Sequence, residues 1–210
     1  MPSTVVKYQA NRRSFVNQIT KHRYRGLARV LKETHYPNYL PPYGLGKRLG
    51  PAGLKAGAKV DQAVQHLIEG KKIKPGWHAK LARRVIAMLK KNNWTSLRAQ
   101  HVVWNDRLNL ATAVDIMGRV GKQKTIRLIE LKYSSHSLAK FKRCYKKTNP
   151  QTRYMKAIGL ANSLYNQYQL QARKTAELFM HTHDKKKSQL LVGVLVICAD
   201  GGMAHSQVKL

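Results

Sequence analysis

Asp115 lies in Ala-Thr-Ala-Val-Asp-Ile-Met and Glu130 in Ile-Arg-Leu-Ile-Glu-Leu-Lys, two carboxylates enclosed by residues that belong in a core. A carboxylate inside an apolar strand must find a cation or take up a proton. With only nine acidic residues in 210, two so placed demand a chemical explanation. Leu110 to Val120 and Thr125 to Tyr133 read as strands, rich in β-branched and aromatic residues and separated by Gly121-Lys122-Gln123. An antiparallel turn centred on Lys122 and Gln123 places Asp115 directly opposite Glu130. Residues paired in that way have β-carbons roughly 4.5 to 5.5 Å apart, a separation that one divalent cation bridges through carboxylate oxygens. The period of two puts Lys132 on the face of Glu130 and turns Leu131 the other way. An ammonium there can orient an attacking water, or help deprotonate it, beside a scissile phosphate. The chemistry these three residues suit is metal-assisted phosphodiester hydrolysis. The competing reading is a structural salt bridge on a sheet face, which leaves one carboxylate without a partner.

Asp followed by Glu-x-Lys on adjacent strands resembles the PD-(D/E)xK nuclease superfamily, with Val114-Asp115 in place of Pro-Asp and Glu130-Leu131-Lys132 as the second half. Glu69-Gly70-Lys71 matches the tripeptide too, but it ends a helix at a glycine and is set aside. Two further segments are similar to the branch containing RecB-type and phage-type (lambda-type) exonucleases. Gly57-Ala58-Lys59-Val60-Asp61 stands where that branch carries Gly-Thr-x-Val-His, with Asp61 at the position of a metal ligand. Leu170-Gln171 stands where it carries Leu-Gln, although Thr175 replaces the Tyr that usually follows. The resemblance runs from about residue 54 to 200 and implies a restriction-endonuclease-like core. It implies that Asp61, Asp115, Glu130 and the Leu131 carbonyl hold one or two Mg²⁺ or Mn²⁺, that Lys132 positions water, and that Gln171 contacts the phosphate or the lysine. Asp61 as a solvated helix residue beside a lysine, and Gln171 as a surface amide, are the alternatives. Small free-standing nucleases of this branch belong to phages, large DNA viruses and organelles, so the resemblance implies a viral or organellar setting.

Forty Lys and Arg against nine Asp and Glu give a formal net charge of +31 and a pI near 10.6. Such a field needs an anionic partner. A membrane partner would call for an amphipathic anchor or an apolar span. Leu190 to Ala199, the longest apolar run, is too short for a span, and Met1 to Ala10 lacks the apolar core of a signal peptide. The expectation is an intracellular protein that is not secreted and binds DNA, double- or single-stranded, or RNA. Cys144 and Cys198 provide neither a disulfide framework nor metal-ligand spacing. Two other classes compete with a deoxyribonuclease. One is a noncatalytic DNA or RNA binder of architectural, virion or ribosomal type, relying on charge alone. The other is an RNA endonuclease of the cap-snatching type, disfavoured because Asp61 stands where a His would be expected. Exonuclease and endonuclease remain equally open.

The elements that must position these residues follow from periodicity. Residues 11 to 33 read as a very basic helix, with Phe15, Ile19, Leu27, Val30 and Leu31 as a thin apolar stripe. Arg12, Arg13, Lys21, Arg23 and Arg25 on it, with Arg83 and Arg84 farther on, are the expected nucleic-acid contacts. Residues 36 to 53, rich in Pro and Gly, read as a connector. Helices are expected over 54–68, 77–91 and 151–181, a basic loop over 134–150, and further strands at 101–104, 189–199 and 204–210. Together these imply an α/β (α+β) fold. A central mixed sheet of four or five strands is flanked by helices, with a basic helical extension and connector (1–53) before a nuclease-like core (54–210), all in one compact domain. His181 and His183 suit a helix C-terminus. Trp77, Trp94 and Trp104 read as core or rim residues, whereas Tyr24, Tyr36, Tyr39 and Tyr43 are the candidate base-stackers.

Overall fold

Nearly continuous apolar character makes Leu190–Cys198 a strand buried on both faces, and such a strand belongs in the middle of a parallel-containing sheet. A computed structural model of the chain, which describes residues 5–9, 14–36, 51–121, 125–148 and 153–210, places it there. The strands are β1 (Val6–Gln9), β2 (Ser14–Asn17), β3 (Arg23–Gly26), β4 (Trp94–Asn105), β5 (Leu110–Val120), β6 (Ile126–Ser134), β7 (Leu190–Cys198) and β8 (Met203–Val208). The helices are α1 (Leu27–Thr34), α2 (Pro51–Ile68), α3 (Trp77–Lys91), α4 (Leu138–Tyr145), α5 (Arg153–Ala157) and α6 (Leu164–His183). β4, β5 and β6 form an antiparallel series, β6 and β7 pair in parallel, and β8 returns antiparallel to β7. The parallel β6–β7 pair needs a crossover connection, which the segment carrying α4, α5 and α6 supplies.

One face of the sheet packs against α6 through Val114, Leu128, Val194 and Val196 with Leu170, Ala176 and Phe179. The other packs against α2 and α3 through Ile116, Ile129, Leu131 and Leu195 with Val60, Val64, Val85 and Leu89. The result is a three-layered α/β protein. Among the described residues no helix is long and apolar enough to cross a membrane.

The mixed sheet flanked by helices agrees with the periodicity, but among the described residues it has eight strands where four or five were expected. Much of the difference lies near the N-terminus. Residues 11–33 are not one helix: β1, β2 and β3 form an antiparallel meander, and only Leu27–Thr34 is helical. Asn17 breaks the supposed helical stripe, because its Oδ1 accepts the backbone N–H groups of Ile19 and Thr20 at 2.9 and 3.1 Å and so builds a turn. Ile19, counted as apolar stripe, is left exposed. β3 then joins β5 in parallel through Arg25↔Leu110 and Gly26↔Ala111. The N-terminal segment therefore forms part of the main sheet and is not a helical extension.

Two further boundaries differ from expectation. Residues 138–145, expected within the basic loop over 134–150, form α4, capped by the Ser137 hydroxyl and buried through Phe141, Cys144 and Tyr145. The long helix expected over 151–181 is two helices. Gly159, in a left-handed conformation with φ 67, follows the first, and the Ser163 hydroxyl caps α6. Most of the Pro- and Gly-rich connector, Tyr39 and Tyr43, and the Lys122–Gln123 turn centre lie outside the described residues.

Candidate active site

The edge of β5 opposite β4 is shared by two strands. β3 pairs with its first two residues, Leu110 and Ala111, and β6 with Ile116, Met117 and Gly118. Between them, Thr112 to Val114 have β4 as their one described strand partner, and Asp115 belongs to no described ladder. This notch opens into a pocket of about 430 Å³ lined by Thr112, Ala113 and Asp115 of β5, Glu130 to Tyr133 of β6, Asp61 of α2 and Gln171 of α6. A break in the sheet thus brings together side chains from both covering layers.

The expected register of β5 and β6 is present, because continuing the pair Ile116↔Ile129 by one residue sets Asp115 against Glu130. The regular ladder stops just short of that pair. Asp115 Oδ2 instead accepts the Leu131 backbone N–H at 2.8 Å. Strand geometry turns the Leu131 carbonyl to the same edge as its N–H, while its side chain packs against α2 and α3.

Glu130 is buried and its Oε1 accepts from Lys132 Nζ at 2.5 Å and from Gln171 Nε2 at 2.5 Å. Lys132 Nζ also donates to Gln171 Oε1 at 3.2 Å and lies 5.5 Å from the ring centre of Tyr168. Gln171 therefore braces the Glu130–Lys132 ion pair from the helix above. Asp61 and Asp115 form no salt bridge among the described residues.

Three carboxylates thus surround one ammonium. Burial and then the charges of Glu130 and Asp61 push the Asp115 carboxyl well above its ordinary range. Burial raises Asp61 to about 6, with Glu130 adding to the rise and Lys132 opposing it. Burial pushes Lys132 down, but Glu130 and Asp115 outweigh it and hold the ammonium above its usual value. A structural salt bridge accounts for Glu130 and Lys132 and leaves Asp61 and Asp115 outside any ion pair among the described residues.

Gln100 on β4 is a site residue that sequence reasoning missed. Its Nε2 donates to Asp61 Oδ2 at 3.1 Å and reaches Asp115 Oδ1 at 3.4 Å. It interrupts β4 in a left-handed conformation, φ 50, and the ladder skips it and Asp115 between Ala99↔Ile116 and His101↔Val114. Here the alternation of β5 also breaks: Val114 packs toward α6, yet Ile116, two residues on, packs toward α2 and α3. Nothing in the residue type marks a glutamine as the irregular residue of a long strand.

Among the described residues no group of three or more His, Cys, Asp or Glu is gathered as a ready metal-ligand set. Gln100 stands between Asp61 and Asp115, and Gln171 and Lys132 occupy Glu130 Oε1. The donors nonetheless suit a hard divalent ion, being all oxygen, anionic in excess and partly desolvated. Asp61, Asp115, Glu130 and the Leu131 carbonyl would hold it if the Gln100 amide gave way. The first turn of α1 also opens into the pocket through Gly26, Leu27 and Ala28, with no side-chain cap and no acidic residue.

The expected nucleic-acid contacts are only partly assembled. Lys21, Arg23 and Arg25 lie exposed on and beside β3, although Arg25 is engaged by Glu33 at 3.2 Å. Arg83 and Arg84 are exposed on α3, and Arg84 donates to the Asp200 carbonyl at 3.2 Å. Arg12 and Arg13 lie outside the described residues. His183 stacks on His101, with 2.7 Å between their Nε2 atoms, away from the carboxylates. Tyr24 is buried and donates its hydroxyl to Asp106, so it presents no ring to a base. Glu69 and Lys71, the second Glu-x-Lys match, pair at 2.6 Å on the surface after α2. Compared with known protein families and with curated proteins, the chain matches no family model and no curated sequence.

Proposed function

We propose that this chain is a divalent-metal-dependent nuclease that hydrolyses phosphodiester bonds of DNA, built on a restriction-endonuclease-like core. The supporting observation is the pocket in which Asp61 and Asp115, in no salt bridge among the described residues, crowd beside the buried Glu130–Lys132 pair, so that three carboxylates share one ammonium. Structural ion pairs normally neutralise their charges, whereas an anionic excess in a desolvated cleft suits cation capture.

In this reading Asp61, Asp115, Glu130 and the Leu131 carbonyl hold Mg²⁺ or Mn²⁺. The bound ion would polarise the scissile phosphate and stabilise charge on the leaving oxygen. Lys132 orients the attacking water, and Gln171 holds Lys132 in place. The water oxygen adds to phosphorus and gives up a proton, the bond to the leaving sugar oxygen breaks, and that oxygen takes up, through solvent, the proton that the water released. Uncapped N–H groups at the start of α1 face the same pocket and can receive a non-bridging phosphate oxygen. The net charge of +31 retains the polyanion.

The test is incubation of the purified chain with linear and circular, single- and double-stranded DNA, and with RNA, in Mg²⁺, Mn²⁺ or chelator. Cleavage that needs the ion and disappears in Asp115→Asn supports the proposal. Loss of linear DNA with circles spared identifies an exonuclease. Cleavage confined to RNA would reassign the substrate. Binding without cleavage of any substrate, unaltered by chelator, would establish the second reading, a noncatalytic DNA or RNA binder. The overall charge and the absence of a gathered ligand set among the described residues favour that second reading.

A further inference from the structure

Few large apolar side chains are conspicuously exposed, and two of them, Tyr8 and Trp77, lie beside the acidic pocket. Tyr8 lines the pocket from β1, half exposed, with its ring 5.1 Å from that of Phe15, which is buried and lines the same wall. On the other side, Tyr133 lines the pocket directly after Lys132, and Trp77 at the start of α3 extends it outward at 5.6 Å between ring centres. Two aromatic pairs therefore flank the carboxylates. Exposed rings grouped at a cleft, unlike singly scattered ones, mark a surface suited to a partner. A strongly cationic protein attracts nucleic acid, and nucleobases stack on aromatic rings whatever their sequence.

The pocket volume of about 430 Å³ falls in the range of small-molecule sites and has room for roughly one nucleotide. Two paired strands would hold their bases against each other and away from the rings. Building on the nuclease reading, we infer that the site takes an unpaired strand, with bases stacked on Tyr8 on one side of the bound phosphate and on Trp77 on the other. A duplex would have to fray at an end or a gap before its phosphate reaches Asp115.

Binding of the full chain in chelator, where no cleavage intervenes, tests this through fluorescence anisotropy at one fixed salt concentration. The probes are a labelled oligothymidylate, an abasic oligonucleotide of equal length, and a blunt hairpin duplex. Tyr8→Leu and Trp77→Leu, which keep an apolar side chain and remove the ring, should each weaken oligothymidylate binding about tenfold. They should leave the other two probes within twofold, and Tyr8→Phe should behave as the parent. Equal weakening of all three probes, or no weakening of any, would overturn the inference. A chain that cleaves with unchanged preference in both leucine variants also defeats it, while ring-dependent binding without any cleavage defeats the nuclease reading instead.

Discussion

Asp115 and Leu131 are joined at the point where their strands part: the carboxylate Oδ2 accepts the Leu131 N–H at 2.8 Å, replacing a backbone partner from β5. The bond steadies the ionised form of Asp115, but burial and two neighbouring carboxylates oppose it and prevail. One residue therefore closes a gap in the sheet at the cost of holding a poorly compensated acid.

Asp115→Asn should separate these roles. An amide oxygen can still accept from Leu131, so the splay survives, whereas the charge disappears. Because the folded carboxyl titrates above its unfolded value of about 3.8, its contribution to stability is full below that pH and is lost as pH rises through the folded value. At neutral pH, where the unfolded carboxyl is ionised, the raised folded value disfavours the fold, and the variant should melt a few degrees higher, at roughly 2–4 °C per kcal/mol for a chain of this size. Cleavage should vanish. Melting curves of the parent and variant at pH 4 and pH 8 check the sign, since the difference should shrink in acid.

A divalent ion should raise the melting temperature of the parent through preferential binding to the folded state. Capture requires deprotonated carboxylates, and Asp61 is raised to about 6. Affinity for Mn²⁺ should therefore climb as the pH rises through about 6. Isothermal titration calorimetry from pH 5 to 8 reads this directly. A profile that is flat across that range would remove Asp61 from the ligand set.

Lys132→Met should destabilise the chain by about 3–5 kcal/mol, because it leaves Glu130 charged and buried with only Gln171 to serve it. Adding Glu130→Gln removes the orphaned charge and should recover much of the loss without restoring cleavage. Denaturant titrations of the single and double variants form the required cycle. Equal stability of Lys132→Met and the parent would show that the ion pair is solvated.

The Asp115–Glu130 relationship was legible because two acids in apolar runs are costly, and the turn between them sets a register that the structure reproduces up to Ile116↔Ile129. Lys132 followed from the period of two, and Gln171 from its position in a recognisable order of segments. The divergence of the strands was not legible, since it depends on β3, which approaches β5 from a segment read as helix. Phe15, Leu27 and Leu31 are buried in both arrangements, so their apolar spacing could not decide between them. The turn chemistry of Asn17 could have done so. Tertiary pairing produced the notch, and no local pattern encodes it.

Gln100 combines two effects that a pair of substitutions can separate. Its left-handed backbone, φ 50, costs a non-glycine residue roughly 1 kcal/mol, and its amide tethers Asp61 to Asp115. Gln100→Ala loses the tether and keeps the strain, while Gln100→Gly loses both. The glycine variant should therefore be the more stable of the two by about 1 kcal/mol, less the backbone entropy that glycine gives up on folding. If the amide competes with a cation for the two carboxylates, both variants should bind Mn²⁺ more tightly than the parent and by the same factor, since the backbone difference leaves the ligands unchanged. If the side chain instead rotates to offer its carbonyl oxygen to the ion, both should bind more weakly. Calorimetric titration of the three proteins at pH 8, where Asp61 is ionised, decides between competitor and ligand, and identical affinities in all three would exclude Gln100 from ion binding altogether.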